Sequence, residues 1–292
     1  MELKDLRHFL AIAREKTISG AADVLHVTQP TLSRQMMELE AELGKKLFVR
    51  GNRKITLTDE GLFLQKRAQE VLSLIAKTEA EFVSGDEQII GKVYIGGGET
   101  AAIRIFARVM KKLRASYPQI TYNIVSSNAE GTMEQLDNGL VDFGLFIEPV
   151  DLSKYDFMRL KEKHVYGILM RKDSPLAAQT SISPAHLAGL PLLCPNRSLV
   201  ANEFAAWLGD SYSLSNIIIT YNLLYNASVM VEEGLGYALC IDQAIHLSED
   251  SRFCFRALEP KLEVGVAVAW KKYQTFSKAA GAFLEALRHE AG

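Results

Sequence analysis

Cysteine is scarce in this chain, with three in 292 residues at positions 194, 240 and 254. That spacing gives no disulfide framework and fits a reducing cytoplasm. Neither the cysteines nor the six histidines show ligand spacing, so no metal is expected. No apolar run reaches the length of a membrane span. Met1–Asp5 opens straight into an amphipathic pattern with Leu3, Leu6, Leu10 and Ala13 on one face, which predicts no secretory leader. An excess of positive charge is also missing: the formal net charge is -2, so bulk composition gives no pointer to nucleic acid. Signatures of catalysis are absent too. There is no Gly-x-Ser-x-Gly elbow, and Gly96-Gly97-Gly98 lacks both dinucleotide-loop spacing and a Lys-Ser/Thr ending. The expectation is a chain that is not an enzyme, with no catalytic residues and no cofactor.

What is present begins at Ile18. Ser19-Gly20-Ala21-Ala22-Asp23-Val24-Leu25 reads as a helix whose small residues let another helix cross closely. After the turn His26-Val27, a further helix starts at Thr28 and runs to Leu43, with Thr28 as N-cap and Pro30 in the first turn. Leu32, Met36, Leu39 and Leu43 recur at helical spacing and predict its buried face. The opposite face shows Thr31, Arg34, Gln35 and Glu38. A helix start carrying Thr28, Gln29, Pro30, Thr31, Ser33 and Arg34 suits contacts to base edges and phosphates.

Charge supports this locally. Lys45, Lys46, Arg50, Arg53 and Lys54 fall in one stretch, with no acidic residue between Glu42 and Asp59. Gly51-Asn52 is a turn signal and Lys54–Leu57 reads as a strand, which predicts a hairpin wing with Arg53 and Lys54 near its tip. A solvated basic loop on an ordinary helical domain is the competing reading, and the combination of helix–turn–helix and wing favours double-stranded DNA.

These residues resemble the N-terminal domain of the LysR-type transcriptional regulators. The resemblance runs over residues 2–61, through Leu6…Phe9-Leu10-Ala11-Ile12-Ala13 and Ser19-Gly20-Ala21-Ala22…Leu25. It continues through Val27-Thr28-Gln29-Pro30-Thr31-Leu32-Ser33-Arg34-Gln35, Leu39-Glu40…Leu43-Gly44…Leu47-Phe48…Arg50 and Leu57-Thr58…Gly61. The remaining chain has the length and layout of that family's effector domain. The resemblance implies a one-component, cytoplasmic regulator that binds a dyad-symmetric DNA site and responds to a small-molecule effector. It further implies a homo-oligomer, usually a dimer of dimers, with RNA polymerase as an additional partner.

Thr58-Asp59-Glu60 caps the next helix. Leu64, Ala68, Val71, Ile75, Thr78 and Phe82 follow at alternating four and three spacing, a short heptad seam. Packing on its own domain is one reading; polar neighbours favour a partner, and Leu64, Val71, Ile75 and Phe82 are the expected dimerisation residues. Ser84-Gly85-Asp86-Glu87 would end the helix as a hinge. The expected domains are a winged helix–turn–helix at 1–58, a linker helix at 59–86 and an effector domain at 87–292.

From Gly91 the pattern alternates strands and helices, which indicates a parallel α/β sheet. Strands are expected at Val93–Ile95, Thr121–Ser126, Phe143–Ile147, Tyr166–Met170, Pro191–Cys194, Ile217–Thr220, Tyr237–Ile241 and Val264–Trp270. Leu136-Asp137-Asn138-Gly139-Leu140 and Val231-Glu232-Glu233-Gly234-Leu235 end helices in matching places, a weak internal repeat. Two such lobes resemble the periplasmic binding protein architecture, with lobe one near 91–163 and 267–292 and lobe two near 164–266.

Ligands of open α/β sheets lie beyond the carboxyl ends of the strands. Strand ends nominate Gly98, Glu99, Thr100, Asn128 and Phe146 from lobe one and Asn196, Ser198 and Tyr225 from lobe two as effector-binding residues, with Ser127, Glu148, Arg197, Asn202 and Asn226 nearby. Thr100 matches a position where the family usually carries an effector-binding hydroxyl; Glu99 departs from the commonest pattern. His164 and His186 are expected to be surface or packing residues. Cys240, in an apolar strand, reads as an inert thiol. A small-molecule binding protein with a vestigial DNA-binding domain is the rival from another class, followed by an enzyme with a fused helical domain.

Overall fold

Side-chain caps start the second and third helices, Thr28 as expected and Thr17 in addition. Thr17 Oγ1 accepts from Gly20 N–H at 3.1 Å, and Thr28 Oγ1 accepts from Thr31 N–H at 3.4 Å. In this computed structural model the described residues are 1–51, 54–82, 89–214, 216–248 and 250–291, with backbone alone at 50, 80–82 and 212–214. Met1–Gly85 forms one unit and Asp86–Gly292 another.

The first unit holds α1 (Leu3–Glu15), α2 (Ile18–Leu25), α3 (Gln29–Leu43), β1 (Phe48–Arg50), β2 (Ile55–Leu57) and α4 (Asp59–Phe82). Ala21 and Ala22 are fully buried where α2 meets α1. The core-facing side of α1 differs from expectation: Leu6, Phe9 and Ile12 are buried with His8 and Ala11, whereas Leu3 is exposed. Leu10 and Ala13 are half-buried, Leu10 against that core, so of the expected face only Leu3 in the first turn is exposed. On α3, Leu32, Met36 and Leu39 are buried, but Leu43 at the last turn is exposed. β1 and β2 pair antiparallel, Phe48 opposite Leu57, and Gly51 N–H donates to Lys54 O at 3.0 Å. The expected wing is therefore a hairpin; Arg53 and Asn52 at its tip lie outside the described residues.

Thr58 Oγ1 caps α4 through Gly61 N–H at 3.0 Å and donates to Lys46 O at 2.7 Å. A Cβ on Gly61 would fall 2.2 Å from Leu47 O, so this close approach of helix to chain requires glycine. The early part of α4 packs into the unit's own core: Leu64 and Ala68 are buried there with Phe9 and Leu47. Leu64 is thus a core residue, and its assignment to a dimerisation seam is corrected. Further along, Val71 and Leu74 are exposed and Ile75 is half-buried, while Phe82 has no described side chain. The proposed hinge at 84–87 lies outside the described residues.

In the second unit, among the described residues, nine strands form one mixed sheet in the order β4-β3-β5-β11-β6-β9-β7-β8, with β10 also paired to β6. These are β3 (Gly91–Gly97), β4 (Ile120–Ser126), β5 (Phe143–Ile147), β6 (Tyr155–Arg171), β7 (Pro191–Pro195), β8 (Asn216–Tyr221), β9 (Tyr237–Ile241), β10 (Phe253–Ala257) and β11 (Glu263–Lys271). The helices are α5 (Arg104–Ser116), α6 (Ala129–Asp137), α7 (Ser198–Leu208), α8 (Leu224–Glu232) and α9 (Lys278–Ala291). Pro184–Leu187 is a single 3-10 turn.

Two antiparallel strands make the sheet continuous. The first part of β6 pairs with β11, from Tyr155 opposite Lys271 to Val165 opposite Glu263; its last part pairs with β9 and β10. Only Tyr166–Met170 of this 17-residue strand was anticipated. Its earlier half, with Arg159, Lys161, Glu162 and Lys163, is too charged to read as a buried strand. β10 was not anticipated either. Four apolar clusters cover the sheet's faces. Phe106, Phe143 and Phe283 anchor one and Phe146 with Leu136 a second; Phe204 and Ile168 anchor the third, and Leu193 with Val231 the fourth. The weak repeat corresponds to equal cap geometry. Gly139 (φ 70°) and Gly234 (φ 80°) end α6 and α8, and in both the following leucine donates back five residues, Leu140 to Gln135 O and Leu235 to Met230 O.

Candidate functional site

The exposed face of α3 assembles as a polar surface around its N-terminus. Thr28, Gln29, Pro30, Thr31 and Arg34 are exposed and Ser33 is half-buried. The Thr28 and Thr31 hydroxyls share a hydrogen bond of 2.8 Å, so two of the nominated contacts also hold the helix start. Arg34 Nε donates to Glu38 Oε1 at 2.9 Å, one turn along the same exposed face. Lys54, beside the wing's turn, is exposed.

Two buried polar residues brace this surface, and neither was nominated from sequence. Glu40 Oε1 accepts Leu47 N–H at 2.8 Å and its Oε2 takes Lys46 Nζ at 2.7 Å, fastening α3 to the entrance of β1. Burial pushes this carboxyl upward, but the Lys46 and backbone hydrogen bonds outweigh it, and Glu40 lies below the ordinary carboxylate range. His8 on α1 meets Gln35 on α3 at 2.7 Å. A polar residue within the apolar stripe of a helix was the available signal for both.

In the second unit, β3, β4 and β5 run parallel, with Gly97 beside both Ser126 and Leu145. Gly98–Thr100, Ser127–Asn128 and Glu148 therefore follow three neighbouring strand ends. β7, β8 and β9 are likewise parallel, which brings Asn196–Ser198 and the Asn222–Tyr225 segment to neighbouring ends. One side chain joins the two sets: Arg197 Nη2 donates to Ile147 O at 3.2 Å and to Pro149 O at 2.7 Å. Arg197 thus ties the strand ends of one half to those of the other.

Thr100 is buried and its Oγ1 accepts Ala102 N–H at 3.2 Å, capping the 3-10 turn that leads into α5. Asn128 caps α6 through Gly131 N–H at 3.0 Å. Gly98 is half-buried; Glu99, Asn196 and Ser198 are exposed, and so is Tyr225 at the start of α8. Phe146 must be removed from the cleft-lining set. It is 1% exposed and its ring lies against Gly144, where a Cβ would come within 2.5 Å of it, so it belongs to the core under α6. Successive side chains of β5 alternate between the two covered faces of the sheet, Leu145 toward one and Phe146 toward the other.

His164 is a packing residue, buried on β6, and its Nδ1 lies 2.8 Å from Asp242 Oδ1, a partner no sequence motif marked. His186 Nδ1 accepts Ser183 N–H. Cys194 and Cys240 pack into different apolar clusters, and burial pushes both thiols up to about 12, which disfavours thiolate. No helix is long and apolar enough to cross a membrane among the described residues.

Comparison with known proteins matches both units. A family model described as bacterial regulatory helix-turn-helix protein, lysR family, matches residues 3–62, and the LysR substrate binding domain matches residues 86–292. The Hca operon transcriptional activator HcaR of Escherichia coli is 28% identical over 284 residues, covering 93% of this chain and 92% of the relative. HTH-type transcriptional regulator BsdA of Bacillus subtilis is 34% identical over 163 residues, covering 56% of this chain and 55% of its own. Among solved structures, the LysR family transcriptional regulator CbnR superposes with a TM-score of 0.78 at 19% identity over 100% of both chains. Full-length CbnR complexed with its target DNA gives 0.76, also at 19% identity over 100% of both chains.

Proposed function

Because this chain belongs to the LysR family of bacterial transcriptional regulators, with a helix–turn–helix DNA-binding domain and an effector-binding domain, we propose which of its residues perform each part. Thr28, Gln29, Pro30, Thr31, Ser33 and Arg34 contact base edges and phosphates in the major groove, and Arg53 and Lys54 follow the backbone from the wing. The observation that carries this is the exposed polar start of α3. A buried acid holds that helix to the wing hairpin through Leu47 N–H.

Two chains pair through the exposed side of α4, where Val71 and Leu74 lie, and present two reading heads to a dyad-symmetric site. Dimers of these dimers, in the cytoplasm, are the working assembly, and RNA polymerase is the further partner at the promoter. A domain division at 1–58, 59–86 and 87–292, with lobes near 91–163 plus 267–292 and near 164–266, goes with this reading. The chain is a regulator without catalysis of its own.

The effector sits in the cleft that Arg197 spans, held by Gly98, Glu99, Thr100 and Asn128 on one side and Asn196, Ser198 and Tyr225 on the other. Binding there favours one arrangement of the lobes and so changes how paired chains hold DNA. The test is footprinting on the region upstream of the protein's own gene, over a range of salt. A protected two-fold site whose affinity falls steeply with salt is expected. Equal, weak affinity for every duplex would refute the reading.

A further inference from the structure

The polar face of α3 includes one side chain whose orientation is set from inside the domain. His8 on α1 is only 5% exposed, and its Nδ1 lies 2.7 Å from Oε1 of Gln35 on α3. An amide oxygen accepts and cannot donate, so Nδ1 carries the hydrogen. This bond commits Gln35 Oε1 to the protein interior. Nε2, which carries both amide hydrogens, has no protein partner among the described residues. Gln35 is half-exposed and lies one turn beyond Thr31, next to Arg34.

We propose that Gln35 is a further DNA-contacting residue, and that buried His8 is the positioning residue that turns its amide donor toward DNA. The inference rests on the reading of α3 as the recognition helix. Its chemistry is specific. Glutamine reads adenine with both ends of its amide, accepting from N6 and donating to N7. With Oε1 turned inward and one of its two lone pairs held by His8, that bidentate pairing is disfavoured. What remains is a pure donor, suited to a phosphate oxygen or to a base-edge acceptor such as guanine O6 or N7 or thymine O4. A buried histidine thereby biases a half-exposed glutamine toward single donated bonds and away from the paired reading of adenine.

Full-length protein, assayed by fluorescence anisotropy on the footprinted site and on random duplex, provides the test. Gln35→Ala should weaken binding to the site by about tenfold, in keeping with loss of one well-formed contact. His8→Phe keeps a ring in the buried position and removes the donor. It should melt within a few degrees of the parent yet lose roughly threefold to tenfold in affinity, and in the Gln35→Ala background it should cost nothing more. His8→Asn supplies an N–H near the Nδ1 position and should recover most of the loss, whatever His8→Phe does to folding. Loss confined to the specific site assigns the donor to a base edge; equal loss on both duplexes assigns it to phosphate, and either upholds the contact.

Parental affinity in Gln35→Ala would overturn the proposal, as would losses that multiply in the double variant. Parental affinity in a folded His8→Phe protein would do the same. Arg34→Ala separates the two levels. If it weakens binding while Gln35→Ala does not, only this inference fails; if neither does, the reading of α3 fails with it.

Discussion

Glu40 Oε1 takes the backbone N–H of Leu47 at 2.8 Å, tying the buried side of α3 to the first residue before the wing. The same carboxylate holds Lys46 Nζ at 2.7 Å. Lys46 is exposed but the carboxylate is not, so the acid and not the lysine carries the structural weight. Folding holds Glu40 below its ordinary value of 4.5. A depressed carboxyl contributes stability that is fully present above the unfolded value and is lost as pH falls through the folded one. The DNA-binding unit should therefore weaken on acidification from about pH 4.5 downward. Glu40→Gln should cost about 1–2 kcal/mol at neutral pH and flatten that acid limb. Melting curves at stepped pH check this; an unchanged acid limb in the variant would remove Glu40 from the cause.

Arg34 and Glu38 form an exposed pair at 2.9 Å on the polar face of α3. Such i,i+4 pairs contribute about 0.3–0.5 kcal/mol, little enough for DNA to outbid. Glu38→Gln should tighten binding to all duplexes by a few-fold, since it frees Arg34 and removes a charge that repels phosphate. Arg34→Ala should weaken binding to the specific site more than to random DNA if it reads a base. Equal loss, with the salt slope reduced by about one, would assign it to phosphate.

Along α4 the exposure changes after the third turn: Leu64 and Ala68 are buried, whereas Val71 and Leu74 are exposed. Two kinds of substitution should separate accordingly. Leu64→Ala should lower the stability of the DNA-binding unit by about 2–4 kcal/mol, as core truncations do. Leu74→Glu should leave that stability within about 0.5 kcal/mol and instead shift the sedimentation profile toward smaller species. An unaltered profile for both Leu74→Glu and Ile75→Glu would remove the outer face of α4 from the interface.

Much of this architecture is legible in local chemistry. Thr28 as cap, Pro30 in the first turn and Thr58 before α4 each announce a helix start through hydrogen bonds made within a few residues. Gly139 and Gly234 announce helix ends by the same locality. The missed features depend on partners distant in sequence. β6 is a strand because β11, about a hundred residues later, pairs with its charged half. Leu43 and Leu64 fit the apolar period equally well, yet only the second meets a neighbour. Phe146 lies one residue before the end of β5, and only the tertiary packing of α6 shows that it belongs to the core. Glu40 and His8 are polar residues within apolar stripes, and their roles appear only once Leu47 and Gln35 are brought beside them.

Thr100 is buried, and its hydroxyl accepts Ala102 N–H at the start of the turn into α5. Thr100→Val is nearly isosteric and removes that acceptor, so it should cost about 1 kcal/mol through the lost cap. A larger effect is expected on ligands: any compound that raises the melting temperature of the parent should fail to do so in the variant. A full shift retained in Thr100→Val would move the effector away from this strand end.

Arg197 is half-buried and donates to two neutral carbonyls of the other half, Ile147 O and Pro149 O. Hydrogen bonds from a charged donor contribute about 1.5–3 kcal/mol each where they are shielded from water, and less at a half-exposed position. Truncation to alanine should leave each lobe folded, because the apolar clusters on the two sides do not include Arg197. What it should alter is the coupling between them. Hydrogen exchange at the backbone amides of residues 147–154 and 196–201 is expected to quicken in Arg197→Ala, while amides of β3 and β7 keep their protection. Lysine at the same position offers one compact ammonium in place of a planar fork, so Arg197→Lys should restore only part of the protection. Exchange rates indistinguishable from the parent in both variants would show that the two carbonyl contacts carry no measurable weight in holding the cleft.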